Sequence, residues 1–166
     1  MKNGYTGGLL EADTFPAVLP GAKSQYVTWA EAMKAWNLVK ENQPWDPTEP
    51  EGWAGDLHSE VAIALGLEDW SHLCLFSATG SALDWHGTDA WFEIAGVHLT
   101  LDVTANPAKF DGYKADIIVP PEAVEDPVER GELAATIAAE LLARRKEAEA
   151  TQRAPRRMVR RQRIGA

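Results

Sequence analysis

The sequence predicts an α/β protein in which a mixed β-sheet of about four strands is flanked by helices. Alternating apolar residues over 90–103, a short apolar run over 115–119 and helical spacing on both sides of them indicate this class. The 166 residues, 45% hydrophobic and 25% charged, suffice for one domain with a buried core. We expect an irregular arm over 1–25, a single domain over 26–150 and a basic flexible tail over 151–166.

Two helices are predicted ahead of the sheet. Thr28 can cap the first helix, and the aromatic stripe that begins at Trp29 is expected to face the core. After a loop rich in turn-forming residues, a second helix is expected to start with Asp56 as its N-cap and to end at Gly66. A short apolar run over 72–76 then predicts the first strand.

A β-hairpin is the clearest element of the sequence. Apolar residues alternate on both sides of Ala95-Gly96, a pair that suits a tight turn. With the turn centred there, opposed residues have numbers that sum to 191, so Asp89 faces Asp102. The same register pairs the apolar positions of the two strands. A third strand over 115–119 and a long helix reaching residue 150 complete the fold.

The paired aspartates predict a metal site. Opposed residues on one sheet face have Cβ atoms about 5 Å apart, and like charges at that distance destabilise the pairing. A hard divalent ion such as Mg²⁺ or Mn²⁺ relieves the repulsion and creates a centre for phosphate chemistry. The alternative is a solvent-exposed hairpin face on which Asp89 and Asp102 both point into water. Glu60, on the second helix, is the best candidate for a third carboxylate.

Four other residues near the hairpin could assist such a centre. Lys109 and Lys114 follow its second strand, and either could stabilise a phosphate or remain a surface residue. Asp84 is expected to brace its own loop, with binding of a second ion as the alternative. His86 could transfer a proton or contact a phosphate, although a loop histidine commonly does neither. No H-E-x-x-H zinc motif, G-x-S-x-G elbow or Gly-rich phosphate loop occurs in the sequence.

Basic residues are concentrated at the C-terminal end. The net charge is −9, yet nine of the 16 Lys and Arg residues lie in 144–166 beside two Glu, which leaves −16 on the rest of the chain. A basic arm on an acidic body predicts contact with a polyanion through phosphate neutralisation. The alternative is a solvated terminus that aids solubility or docks on its own acidic body. The residues predicted to contact nucleic acid are Arg153, Arg156, Arg157, Arg160, Arg161 and Arg163.

The sequence contains no candidate for a membrane segment. No stretch approaches the roughly 18 apolar residues of a membrane span, and the N-terminus lacks the apolar core of a signal peptide. We therefore expect a cytoplasmic location and no membrane partner.

The segment over about 55–120 resembles the PD-(D/E)xK nuclease superfamily, which has the restriction-endonuclease-like fold. That family places an Asp at the start of one strand, an acidic residue followed two positions later by Lys on the next strand, and often a Glu on an earlier helix. In this sequence Thr88-Asp89 matches the first element, Asp102-Val103-Thr104 the second, and Glu60 the helical acid.

The resemblance implies a magnesium-dependent or manganese-dependent nuclease acting on nucleic acid, with DNA as the expected substrate. It implies Asp89 and Asp102 as metal ligands, Glu60 as an auxiliary ligand and the Val103 carbonyl as a backbone ligand. A homodimer would suit a nuclease that cuts both strands. A metal hydrolase that acts on small phosphate esters is a further possible function of the same centre.

The resemblance has one departure. Thr104 stands where the family has its lysine. Relocation of that role to Lys109, with Lys114 in reserve, would keep the chemistry. Loss without relocation would leave a catalytically inactive protein that binds nucleic acid or a protein partner.

Overall fold

A four-stranded mixed sheet forms the centre of the structure. A computed structural model describes the chain over 14–18, 28–104 and 115–162. The strands that these residues form lie in the sheet in chain order: β1 (Cys74–Ser77), β2 (Ala90–Ile94), β3 (Val97–Val103) and β4 (Ile117–Val119). Neighbouring strands are antiparallel except for β3 and β4, which are parallel. The predicted α/β class with a mixed sheet is confirmed.

Five α-helices of the described residues flank this sheet: α1 (Trp29–Lys34), α2 (Trp36–Glu41), α3 (Gly52–Ala64), α4 (Pro121–Glu125) and α5 (Pro127–Gln162). The cap at Thr28 is confirmed, because the Thr28 hydroxyl accepts the N–H of Glu31 while the Glu31 carboxylate accepts the N–H of Thr28. The chain turns more tightly at Ala35, whose N–H bonds to the carbonyl of Ala32. The single helix predicted here is therefore two short ones.

The start predicted for the second helix is wrong. α3 begins at Gly52 with Glu51 as its N-cap, one turn before Asp56. The extra turn is stabilised by burial, since Ala54 is fully buried and the Trp53 indole N–H donates to the carbonyl of Ala123 at 3.1 Å. The predicted end is confirmed by the chain reversal after Ala64, where Gly66 has a φ of 69°.

Apolar side chains cover both faces of the sheet. Phe92, Leu99 and Leu101 pack on one face with apolar residues of α3 and α5. The other face carries Trp91 and Phe76, which pack against residues of α1 and α2. Because residues alternate along a strand, Thr100 and Asp102 of β3 lie on the same face as Trp91.

The aromatic stripe of the first helix is only partly buried. Trp36 packs against Trp91 with ring centroids 4.2 Å apart. Trp29 is 48% exposed. The prediction that the stripe faces the core is therefore wrong for Trp29 and for Met33, which is 41% exposed, because α1 buries only Ala32.

Helix α5 is 36 residues long and extends beyond residue 150, the end predicted from the sequence. The predicted core positions Leu133, Ile137 and Leu141 are buried. From Arg145 to residue 154 the side chains are largely or wholly exposed. None of the helices in the described ranges is long and apolar enough to cross a membrane.

Candidate functional site

From Ala90 to Ile94 the hairpin has the register that the sequence predicts, but the paired residues do not extend to Asp89 and Asp102. Strands β2 and β3 pair from Ala90 opposite Leu101 to Ile94 opposite Val97, and every pair sums to 191. Ala95 and Gly96 have φ values of 51° and 76°, the two positive values of a two-residue type I′ turn.

Asp89 immediately precedes the first of these pairs and is 1% exposed. Its N–H donates to the carbonyl of Leu101 at 2.9 Å, and its carboxylate Oδ2 accepts the N–H of Val103 at 2.7 Å. These two bonds flank Asp102 on the opposite strand. The carbonyl of Asp89 also accepts the N–H of Ala78, so the residue before β2 is hydrogen-bonded to the loop after β1.

Asp102 is 4% exposed and pairs with Ile118 across the parallel strands. Two aspartates are therefore buried on neighbouring strands at the same end of the sheet, and the alternative of a water-exposed pair is wrong. Burying a carboxylate is costly unless hydrogen bonds, a proton or a cation compensate its charge. The backbone N–H of Val103 supplies part of that compensation for Asp89.

The predicted third carboxylate, Glu60, is held by an arginine. Arg130 of α5 donates from Nε and Nη2 to the two carboxylate oxygens of Glu60, at 3.0 and 3.1 Å. The hydrogen bond to Glu60 is the main cause that raises the pKa of Arg130. In the described part of the chain no three His, Cys, Asp or Glu side chains form a group suited to a metal. The auxiliary role of Glu60 stays a prediction.

The lysines of the predicted site, Lys109 and Lys114, lie outside the described residues, as does Arg163. Thr104 is buried, and its N–H donates to the carbonyl of Val119 at 3.4 Å. The residue at the position of the family's lysine is thus a buried threonine that is hydrogen-bonded to the neighbouring parallel strand. The relocation of the catalytic lysine to Lys109 stays a prediction.

Asp84 braces its loop, as expected. Its carboxylate Oδ2 accepts the N–H of Gly80 at 2.9 Å, and Gly80 has a φ of 80°. The loop then passes through His86, which is 6% exposed and lies edge-on to the Trp29 ring with centroids 5.3 Å apart. Neither lysine nor arginine lies between Asp84 and Asp102 in the sequence.

A cavity of about 530 Å³ lies beside the hairpin. The described residues that line it are Trp29, His86, Thr88, Thr100 and Asp116. Sequence reasoning missed three of them as site residues. Thr100 and Asp116 meet only because β4 pairs with β3, and the exposure of the Trp29 ring depends on how α1 crosses the core.

Asp116 is the best-connected polar group of the cavity wall. Its Oδ2 accepts the N–H and the hydroxyl of Thr100, each at 2.9 Å, and Arg144 donates to both of its oxygens, at 2.8 and 3.1 Å. Burial alone would raise the pKa of Asp116, but the hydrogen bonds from Arg144 and Thr100 outweigh it and hold the pKa below the usual value. The carboxylate therefore stays charged at neutral pH.

On an ideal α-helix the basic positions of α5 that follow Arg144 fall on one face. At about 100° per residue their positions fall within an arc of about 160°, and they span about 24 Å along the axis. Arg144 is on the opposite side and points to the body, where it also donates to the carbonyl of His98. One acid, Glu149, lies within the arc and pairs with Arg145 at 3.5 Å. The positions are Arg145, Lys146, Arg153, Arg156, Arg157, Arg160 and Arg161.

Comparisons with protein-family models, with curated proteins and with solved structures found no match for this chain. The resemblance to the PD-(D/E)xK superfamily therefore stays a prediction, carried by the hairpin residues alone.

Proposed function

We propose that this protein is a metal-dependent nuclease that hydrolyses phosphodiester bonds of nucleic acid, with DNA as the first substrate to test. Asp89 and Asp102 would hold Mg²⁺ or Mn²⁺. The observation that carries the proposal is the burial of these two aspartates, 1% and 4% exposed, at one end of the hairpin. Carboxylate oxygens are the ligands that such hard cations prefer.

The chemistry of this pair favours a divalent cation over a purely structural role. Asp89 braces the hairpin through the N–H of Val103, which leaves further lone pairs on its carboxylate. A second buried carboxylate on the adjacent strand adds like charge in a region of low dielectric. A bound divalent ion neutralises both and supplies Lewis-acid activation of water and phosphate.

The face of basic positions on α5 supports nucleic acid as the partner. Phosphates of one DNA strand repeat about every 3.4 Å along the axis, so the 24 Å face would span about seven of them. The buried residues Leu133, Ile137 and Leu141 and the ion pair of Arg144 with Asp116 mark the side of α5 that meets the body, and the basic positions fall mainly on the other side. That orientation favours an external polyanion over docking on the chain's own carboxylates.

A second candidate function is binding of nucleic acid without cleavage. The observation in its favour is the fully engaged carboxylate of Glu60, whose two oxygens both pair with Arg130. Thr104 in place of the family's lysine is consistent with the same function. In this case the α5 face would act alone.

Cleavage and metal binding should be measured together. The purified full chain is incubated with supercoiled plasmid and with an end-labelled single strand, each with Mg²⁺, Mn²⁺ or a chelator, and Mn²⁺ binding is followed by titration calorimetry. Asp102→Asn should lose both activity and Mn²⁺ binding. Asp56→Asn is the control. Asp56 is exposed and lies 3.5 Å from Arg130, and its substitution leaves the two hydrogen bonds between Arg130 and Glu60 in place.

The outcomes separate the two functions. Metal-dependent cleavage that Asp102→Asn abolishes and Asp56→Asn retains supports the nuclease. Absence of both cleavage and Mn²⁺ binding in the wild-type protein refutes it. Salt-sensitive DNA binding without cleavage supports the second candidate.

Binding of nucleic acid through one face of α5 can be tested with a variant that has the same amino-acid composition. Exchanging Arg157 with Thr151 and Arg160 with Gln162 keeps the net charge but moves two positive charges to the opposite side of α5. If the face binds phosphates, the slope of log K against log salt should fall by about 2. An unchanged slope would show that only the net charge of the tail matters.

A further inference from the structure

The cavity beside the hairpin has the lining of a base-binding pocket. We infer that it holds one unstacked nucleobase of a single-stranded nucleic acid, through stacking on Trp29 and hydrogen bonds to Thr88, Thr100 and Asp116. The choice of ligand rests on the proposed function, whereas the pocket itself rests on the geometry of these residues.

The size of the cavity suits a ligand of this kind. Small-molecule sites have volumes of about 300–1,000 Å³, and a few polar groups in them fix the orientation of the ligand. At about 530 Å³ this cavity falls within that range. It has room for a base and part of its sugar.

Its aromatic side is formed by two rings of different exposure. Trp29 is 48% exposed, an unusual state for the largest apolar side chain, while His86 is buried behind it. The two rings contact at a centroid distance of 5.3 Å with an interplanar angle of 70°, and both line the cavity, so part of the exposed indole is available to a ligand. A base stacked on such a ring gains about 5-fold to 150-fold in affinity.

Its polar side carries the carboxylate of Asp116, which is paired with Arg144. Thr100 donates to this carboxylate from its N–H and its hydroxyl, and Thr88 lines the same cavity. The Thr100 hydroxyl also accepts the N–H of Asp116, so Thr100 and Asp116 offer a ligand only acceptor lone pairs, whereas the Thr88 hydroxyl can donate and accept. A wall of this kind can bind the donor groups on the edge of a base.

The cavity adjoins the two aspartates along the chain. Thr88 directly precedes Asp89, and Thr100 lies two residues before Asp102 on the same face of β3, a separation of about 7 Å. A base in the cavity would therefore lie near the end of the sheet that carries the aspartates. The pocket would thus select the nucleotide whose phosphodiester is presented to the proposed metal site.

Binding can be measured without metal and without cleavage. The probe is a single-stranded octamer of deoxythymidine with one central 2-aminopurine, titrated with the full chain in a chelating buffer. Stacking on Trp29 should quench the 2-aminopurine fluorescence. Trp29→Ala should abolish the quenching and weaken binding at least 5-fold, and Trp29→Phe should retain part of both. Trp70→Ala is the control, because Trp70 is another partly exposed tryptophan, at 37%.

Three results would overturn the inference. One is quenching and affinity in Trp29→Ala equal to those of the wild-type protein, with circular dichroism showing both folded. The second is equal affinity for an octamer that is abasic at all eight positions. Quenching by the wild-type protein without Mg²⁺-dependent cleavage would refute the nuclease and support the base-binding pocket. Cleavage without quenching, the third result, would support the nuclease and refute the pocket.

Discussion

Asp89 has a structural role and a proposed metal-binding role, and substitution can separate them. Its Oδ2 accepts the N–H of Val103 at 2.7 Å, where both residues are at most 2% exposed. Asp89→Ala leaves that buried donor without its acceptor, a loss that costs about 1–3 kcal/mol. For a chain of this length, a loss of about 2 kcal/mol lowers the melting temperature by about 4–8 °C.

Asp89→Asn keeps an oxygen of the same geometry but removes the negative charge. We expect it to retain the Val103 hydrogen bond and to lose less than about 1 kcal/mol of unfolding free energy, because a neutral acceptor forms a weaker bond than a carboxylate. Cleavage and Mn²⁺ binding should nevertheless fall to the level of Asp102→Asn, since the ligand charge is gone.

Urea unfolding followed by circular dichroism gives the stability of wild-type, Asn and Ala proteins, and the plasmid assay gives their activity. We expect a stable but inactive Asn variant and a destabilised, inactive Ala variant. An Ala variant as stable as wild type would refute the role of the Val103 bond. An Asn variant with full metal-dependent activity would refute the role of Asp89 as a ligand.

Further predictions concern stability. Gly131→Ala in α5 adds a methyl group that meets no atom within 4 Å, so the unfolding free energy should rise by about 0.5–1 kcal/mol. Gly55→Ala in α3 places a β-carbon against the carbonyl oxygen of Pro50 and should lower it by about 1–3 kcal/mol; urea midpoints that shift in the same direction for both variants would contradict this pair. His58 is buried with Nε2 2.8 Å from the carbonyl of Leu73, and burial lowers its pKa below 6.5. As the pH falls below 6.5 the unfolded chain therefore takes up a proton that the folded protein does not, and stability should decrease until the pH reaches the folded pKa. His58→Gln should flatten urea midpoints measured between pH 7.5 and 5.5, and an equally steep profile in that variant would contradict the assignment.

The hairpin could be predicted because its signals are local. The turn at Ala95-Gly96 and the alternation beside it fix the register without reference to the rest of the chain. The burial of Asp89 and Asp102 could not be predicted, because burial depends on what covers the end of the sheet. The hydrogen bond from the Val103 N–H to the Asp89 carboxylate could not be predicted either, because the pairing of two strands does not say which side chains bond to the backbone.

The contacts that sequence reasoning missed join residues far apart in the chain. Glu60 and Arg130 are separated by 70 positions, and each reads as an exposed helix residue in its own segment. Arg144 appears in the sequence as part of the basic tail, yet it binds Asp116 and the carbonyl of His98. Charge on a helix predicts solvent exposure, and only the packing of α5 against the sheet shows which charges face inward.

Arg144 links the two surfaces on which the proposed functions depend. On its body side it neutralises Asp116, the carboxylate of the cavity wall, through bonds of 2.8 and 3.1 Å. The helix that carries it presents its other basic positions on the opposite side. An ion pair that is only partly buried contributes modestly to stability, and this one, with its bond to the His98 carbonyl, adds to the packing of Leu133, Ile137 and Leu141 that determines the rotation of α5 about its axis. The same rotation places Arg144 beside the cavity wall and the other basic positions on the opposite side of the helix.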